Sequence, residues 1–158
     1  MTVNLKNFLN PKAKMAKMGE YQELRPIDGL QISSVSADLY GDGRDDLSLF
    51  FFENGANFAS IYTQSTITSA SINWNLRLRK HHIRGLLVNT KNANTFTGEK
   101  GANALKEISK TLSKALTLKA AQSPTGISDT IKPNEILFAS TGVIGEEFPL
   151  HKIKNTIN

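Results

Sequence analysis

The strongest constraint in this sequence is a change of period near residue 99. From Glu99 to Leu116, apolar residues recur at spacings of three and four: Leu105, Ile108, Leu112 and Leu116. That spacing lines one face of a helix. Lys106, Glu107, Lys110 and Lys114 take most of the other face, and Thr97 and Gly98 are start signals. Before this point the chain reads in short, strand-like runs. Gly29 to Ala37 is β-leaning, Asp46 to Phe52 (DLSLFFF) has the character of a buried strand, and Ile83 to Asn89 (IRGLLVN) is another. Glu53-Asn54-Gly55 is a turn signal, which predicts that Ala56 to Gln64 returns as the second strand of a hairpin. After a Ser-, Thr-, Gly- and Pro-rich loop over 117–133, Ile136 to Ala139 is a strand core and Phe148 to Ile157 a second helix. Strands first, then strand–helix–strand–helix, predict a mixed α/β domain.

The chain has 158 residues, the length of one domain. Residues 1–25 hold lysines but no continuous apolar stretch of the signal-peptide kind, and read as a lead-in to a domain over 26–158. No apolar run nears the ~20 residues of a membrane span. The absence of cysteine excludes disulfides, thiolate metal sites and a Cys nucleophile, and points to the cytoplasm. The net charge of +5 is spread along the chain, with only 8% aromatics, so no nucleic-acid partner is expected.

Four stretches carry residues that chemistry uses. In DLYGDGRDDL, Asp38, Asp42 and Asp46 surround glycines in the manner of a calcium loop. Tyr40 at the third position and Leu49 at the twelfth break that pattern, and a Gly-Asp-Gly turn with exposed acids is the plainer reading. RLRKHHIR (Arg77 to Arg84) reads as a solvated basic turn, because His81 and His82 point to opposite sides of a strand and have no third ligand nearby. NTKNANTFTGEKG (Asn89 to Gly101) places Asn89, Asn92, Asn94 and three threonines between a buried strand and a helix. Such residues either brace a tight turn or present donors to a ligand. LFASTGVIGEEFP (Leu137 to Pro149) ends a strand in Ser140-Thr141-Gly142. Thr141 has no recognisable base partner and no nucleophile-elbow frame, which disfavours a Ser/Thr–His–Asp triad. Its hydroxyl and the Gly142 N–H can instead serve a developing oxyanion, or Thr141 or Ser140 can cap the following helix. Glu146 and Glu147 then fall near that helix's first turn.

The segments LLVNTKNANTFTGEKG (Leu86 to Gly101) and ILFASTGVIGEEFPLHKI (Ile136 to Ile153), with RDDLSLFFFENGANFASIYTQSTITSASI (Arg44 to Ile72), resemble the N-terminal chain of the ornithine acetyltransferase family, the ArgJ-type glutamate N-acetyltransferases of arginine biosynthesis. The resemblance covers roughly residues 26 to 157. It implies the α/β architecture shared with self-processing (DOM-like) aminopeptidases. It also implies a precursor that cleaves itself before a threonine, which becomes the nucleophile of a second, C-terminal chain. That threonine takes acetyl from N-acetylornithine and passes it to glutamate through an acyl-enzyme, in a heterotetramer. Thr141 and Gly142 map onto the family's oxyanion hole; no metal or organic cofactor is implied, though acetyl-CoA is a possible acetyl donor. The nucleophile lies outside these 158 residues, so the isolated chain is expected to be inactive. Two departures stand out: Lys91 replaces a family glycine in Asn89-Thr90-Lys91-Asn92-Ala93-Asn94, and Thr63-Gln64-Ser65 replaces a Thr-x-Asn. The rival expectations are a self-processing aminopeptidase of the same fold, and a calcium-binding module built on Asp38, Asp42 and Asp46.

Overall fold

The computed structural model describes residues 25–78, 81–122 and 129–157. Residues 1–24 of the lead-in over 1–25, residues 79–80 of the basic stretch and the centre of the predicted loop, 123–128, lie outside the described residues. Four strands form one sheet in chain order: β1 (Leu30–Val35), β2 (Leu47–Asn57), β3 (His82–Asn89) and β4 (Ile136–Ser140). The pairs β1–β2 and β2–β3 are antiparallel and β3–β4 is parallel. Helix α1 (Ala70–Leu76) precedes β3, α2 (Gly98–Ala121) makes the crossover that a parallel pair requires, and α3 (Leu150–Ile157) follows β4. The mixed α/β expectation holds.

Helix α2 lays Leu105, Ile108, Leu112 and Leu116 on one sheet face, where they share a core with Leu47, Phe51, Leu87, Ile136 and Phe138. Each fully buried side chain of this kind contributes about 1.5–3 kcal/mol. The helix runs past the predicted end at Leu116 because Ala120 continues the buried stripe. Thr117 also donates to the Ser113 carbonyl at 2.8 Å, inside the helix. Ile153 of α3 completes this layer. The opposite face carries a smaller cluster of Leu78, Ile83 and Leu137 under half-buried Trp74 and Phe58.

Three local expectations fail. Glu53-Asn54-Gly55 is not a hairpin turn. Strand β2 passes through it, and the register jumps between Phe51 (opposite Gly85) and Ala56 (opposite Ile83). Gly55 takes φ +73, so the left-handed residue that suggests a turn serves a bulge. Residues 58–69 therefore form no returning strand. The bulge frees the Phe52 and Glu53 carbonyls from the ladder, and Arg84 on β3 donates Nε to the first at 3.0 Å and Nη2 to the second at 2.6 Å. Arg84 is 5% exposed, so this end of the basic stretch is a buried brace rather than a solvated surface.

Helix α1 was not anticipated, being too short to show a period. Ser69 caps it, accepting from the Ile72 N–H at 3.1 Å. Its Asn75 amide donates to the Phe138 carbonyl at 2.9 Å and accepts from the Phe138 N–H at 3.0 Å, while Trp74 Nε1 donates to the Ile136 carbonyl at 2.9 Å. Side chains thus close the open edge of β4 as a fifth strand would. The last helix starts at Leu150 rather than Phe148, with no acid in its first turn.

Candidate functional site

Strands β3 and β4 end side by side, Asn89 opposite Ser140. In open α/β sheets, ligands bind in the crevice outside the carboxyl ends of such strands. Past these ends the two loops stay zipped together. The Thr141 N–H donates to the Asn89 carbonyl (3.1 Å), Val143 to Lys91 (2.7 Å), Ala93 to Val143 (2.9 Å) and Gly145 to Thr95 (3.0 Å). The parallel pairing therefore continues through the turn as a bridge between Asn92 and Val143.

The asparagines settle into the bracing role. Asn89 Nδ2 donates to the Thr90 and Asn92 carbonyls at 3.1 and 2.9 Å, closing the turn from inside. Asn94 is fully buried. Its backbone N–H donates to Ser140 Oγ (3.0 Å), its Nδ2 to the Gly101 carbonyl (3.2 Å), and its Oδ1 accepts from Thr97 Oγ1 (2.6 Å). Its own carbonyl receives the Ala70 N–H at 2.8 Å, which ties the start of α1 to the same turn. Asn92 Nδ2 reaches across to Glu146 Oε2 at 2.7 Å, and Lys91 Nζ meets the same oxygen at 2.7 Å. Glu146 thus joins the two loops instead of facing a helix dipole. Glu147 is exposed, 3.8 Å from Lys100.

Gly142 is required twice over. It takes φ +125, and a Cβ there would sit 2.1 Å from the Lys91 carbonyl oxygen. No other residue fits both conditions. Lys91 itself takes φ +74, a conformation that glycine adopts freely and lysine does not. The Thr141 side chain is exposed, and among the described residues neither its hydroxyl nor the Gly142 N–H has a hydrogen-bond partner. The helix-cap alternative falls: α3 begins nine residues past Thr141, and Ser140 is engaged with Asn94 and, at 3.2 Å, with Ser71.

Neither His81 nor His82 joins these donors as a base. His82 opens β3, and Asn89 closes it about 23 Å away at strand rise. His81 packs on Phe58 with ring centroids 5.6 Å apart. A polar cavity of about 500 Å³, lined by His82, Arg84, Lys132 and Glu135 among others, lies at that distal end and includes no residue of the two loops.

The calcium reading fails on geometry. Asp46 is buried, and its two oxygens accept from the Ala37 N–H (2.7 Å) and the Leu39 N–H (2.6 Å). Asp42 pairs with Arg44, whose guanidinium holds the carboxyl below its ordinary range. Asp38 meets Lys152 at 3.4 Å. Among the described residues no group of three His, Cys, Asp or Glu is placed to hold a metal. Nor, among them, is any helix long and apolar enough to cross a membrane.

Comparison with known proteins places the chain in a family. The ArgJ family model matches residues 31–158, which include both loops. The arginine biosynthesis bifunctional protein ArgJ of Bartonella quintana is 35% identical over 137 residues, 86% of this chain and 30% of the relative. That of Zymomonas mobilis is 36% identical over 129 residues, 81% of this chain and 28% of the relative. The chain thus spans under a third of the curated relatives it matches. Its fold is similar to the crystal structure of ornithine acetyltransferase complexed with ornithine from Mycobacterium tuberculosis, with TM-score 0.72 and 23% identity over 82% of this chain and 64% of that one. Similarity to ArgJ from Bacillus halodurans is comparable, with TM-score 0.70 and 22% identity over 82% of this chain and 62% of that one. With a family model that spans the sheet, the crossover helix and both loops, the chain belongs to the ArgJ family.

Proposed function

We propose that this chain is the N-terminal part of an ornithine acetyltransferase and glutamate N-acetyltransferase of arginine biosynthesis, and that it supplies the oxyanion hole. The supporting observation is the pair of unengaged donors, Thr141 Oγ–H and Gly142 N–H, at the carboxyl ends of a parallel strand pair. Residues 26–158 form the N-terminal α/β unit after a lead-in over 1–25. The partner is a C-terminal chain, released by self-cleavage, whose threonine is the nucleophile. The two assemble as a heterotetramer in the cytoplasm.

The threonine hydroxyl of the partner chain attacks the acetyl carbonyl of N-acetylornithine. Its oxygen bonds to carbon, the carbonyl π pair moves onto oxygen, and Thr141 and Gly142 donate to that oxyanion. Collapse expels ornithine, whose amine takes the proton lost by the threonine, and leaves the acetyl ester. The glutamate amine then attacks the ester through a second oxyanion in the same hole and frees the threonine hydroxyl. Acetyl-CoA can enter as an alternative donor by the same first step. The residues required are all protein groups, so no cofactor takes part.

Thr141→Ala in enzyme reconstituted with its C-terminal chain should lower kcat about 100- to 1,000-fold, as for other lost oxyanion donors. Thr141→Ser, which keeps the hydroxyl, should restore most of it. Turnover within a few-fold of wild type for Thr141→Ala would refute the assignment.

A further inference from the structure

We infer that Glu146 is a positioning residue, whose carboxylate, gripped by Lys91 and Asn92, locks the Thr141–Gly142 loop against the turn that follows β3. The inference rests on the oxyanion role proposed for that loop. Lys91 stands in the left-handed region that glycine occupies without strain and lysine does not. The turn therefore does not need this side chain for its backbone, so its presence calls for another contribution. Lys91 Nζ supplies one: it lies 2.7 Å from Glu146 Oε2, and Asn92 Nδ2 reaches the same oxygen at 2.7 Å. Two donors from one loop thus converge on one carboxylate from the other. The Lys91 carbonyl meanwhile receives the Val143 N–H and lies where a Gly142 Cβ would be. Lys91 therefore touches the donor loop at both ends, through its backbone beside Gly142 and through its side chain beyond Gly145. The ladder bonds of Val143 and Gly145 lie between these two points. An exposed ion pair alone holds little, but the Lys91 side chain is only 28% exposed and the carboxylate has a second donor.

The clamp is read by amide hydrogen exchange at Val143 and Gly145, measured in the reconstituted two-part enzyme alongside its kinetics. Glu146→Ala should speed exchange at both about five- to tenfold, the size of a charge-assisted contact worth tenfold or less in an equilibrium. Leu87 and Phe138 in the strands should keep their wild-type rates, showing that the sheet is intact. Lys91→Gly should also speed exchange, although it relieves the backbone, while Lys91→Arg should stay near wild type. Molar salt should move wild type towards Glu146→Ala and leave that variant unchanged. In the same samples, Glu146→Ala should lower kcat about tenfold with KM unchanged. Wild-type exchange at Val143 and Gly145 in Glu146→Ala overturns the clamp. Faster exchange with unaltered kcat, in an enzyme that Thr141→Ala disables, overturns the positioning role. If Thr141→Ala is itself without effect, the oxyanion reading fails and takes the role of Glu146 with it.

Discussion

The loop over 36–46 and the paired loops over 89–97 and 141–146 both carry residues that chemistry uses, acids around glycines in the first and asparagines, hydroxyls and glycines in the second. Each follows a strand. They differ in what folding leaves unbonded. In the first, Asp46 is spent on two backbone N–H groups, Asp42 on Arg44, and Asp38 on Lys152. In the second, every asparagine, Ser140 and Glu146 is likewise engaged, but that bonding holds a hydroxyl and an N–H whose donors are left over. The number of chemistry-bearing residues does not separate the two loops. What separates them is that the second leaves two adjacent donors, Thr141 Oγ–H and Gly142 N–H, at the end of the parallel strand pair.

The most severe change to this contrast is Gly142→Ala. The new Cβ meets the Lys91 carbonyl and an unsuitable φ, which together should cost about 4 kcal/mol in urea unfolding and abolish turnover. Wild-type stability would mean that the two loops are not locked as described. Next comes Asp46→Ala, which leaves the buried Ala37 and Leu39 N–H groups without an acceptor. A loss of about 3 kcal/mol is expected, against less than about 0.5 kcal/mol for Asp42→Ala on the exposed tip. Equal effects of the two variants would break the distinction between a structural and a spare carboxylate. Millimolar calcium should leave the melting temperature unchanged, since a ligand that binds the folded state raises it. A rise would restore the calcium module. A smaller effect is expected for Arg84→Met, about 2 kcal/mol from the orphaned Phe52 and Glu53 carbonyls, partly offset by the apolar stem that remains.

Elements whose cause is local were readable from the residues. Strand β4 is an apolar run from Ile136 to Ala139, β3 carries one from Leu86 to Val88, and α2 announces itself through four residues on one face. What was not readable depends on partners far away in the chain. Glu53-Asn54-Gly55 has the same composition whether it turns or bulges; Arg84, some 31 residues on, makes the bulge tenable. Helix α1 is seven residues long and stands on side-chain bonds to β4 more than 60 residues later. Glu146 looked like a helix-dipole acid because its partners, Lys91 and Asn92, lie 55 and 54 residues earlier. Thr141 and Gly142 were legible as donors from their chemistry and from the family resemblance. That both remain unengaged among the described residues is visible only in three dimensions.

Single-turnover acylation tests the central claim most directly, since it isolates the step in which the proposed mechanism forms its first oxyanion. With N-acetylornithine saturating the reconstituted enzyme, Thr141→Ala should form the acyl-threonine ester about 100- to 1,000-fold more slowly than wild type, at an unchanged melting temperature. Wild-type acylation rates in a folded Thr141→Ala enzyme would show that the free hydroxyl beside Gly142 serves no oxyanion.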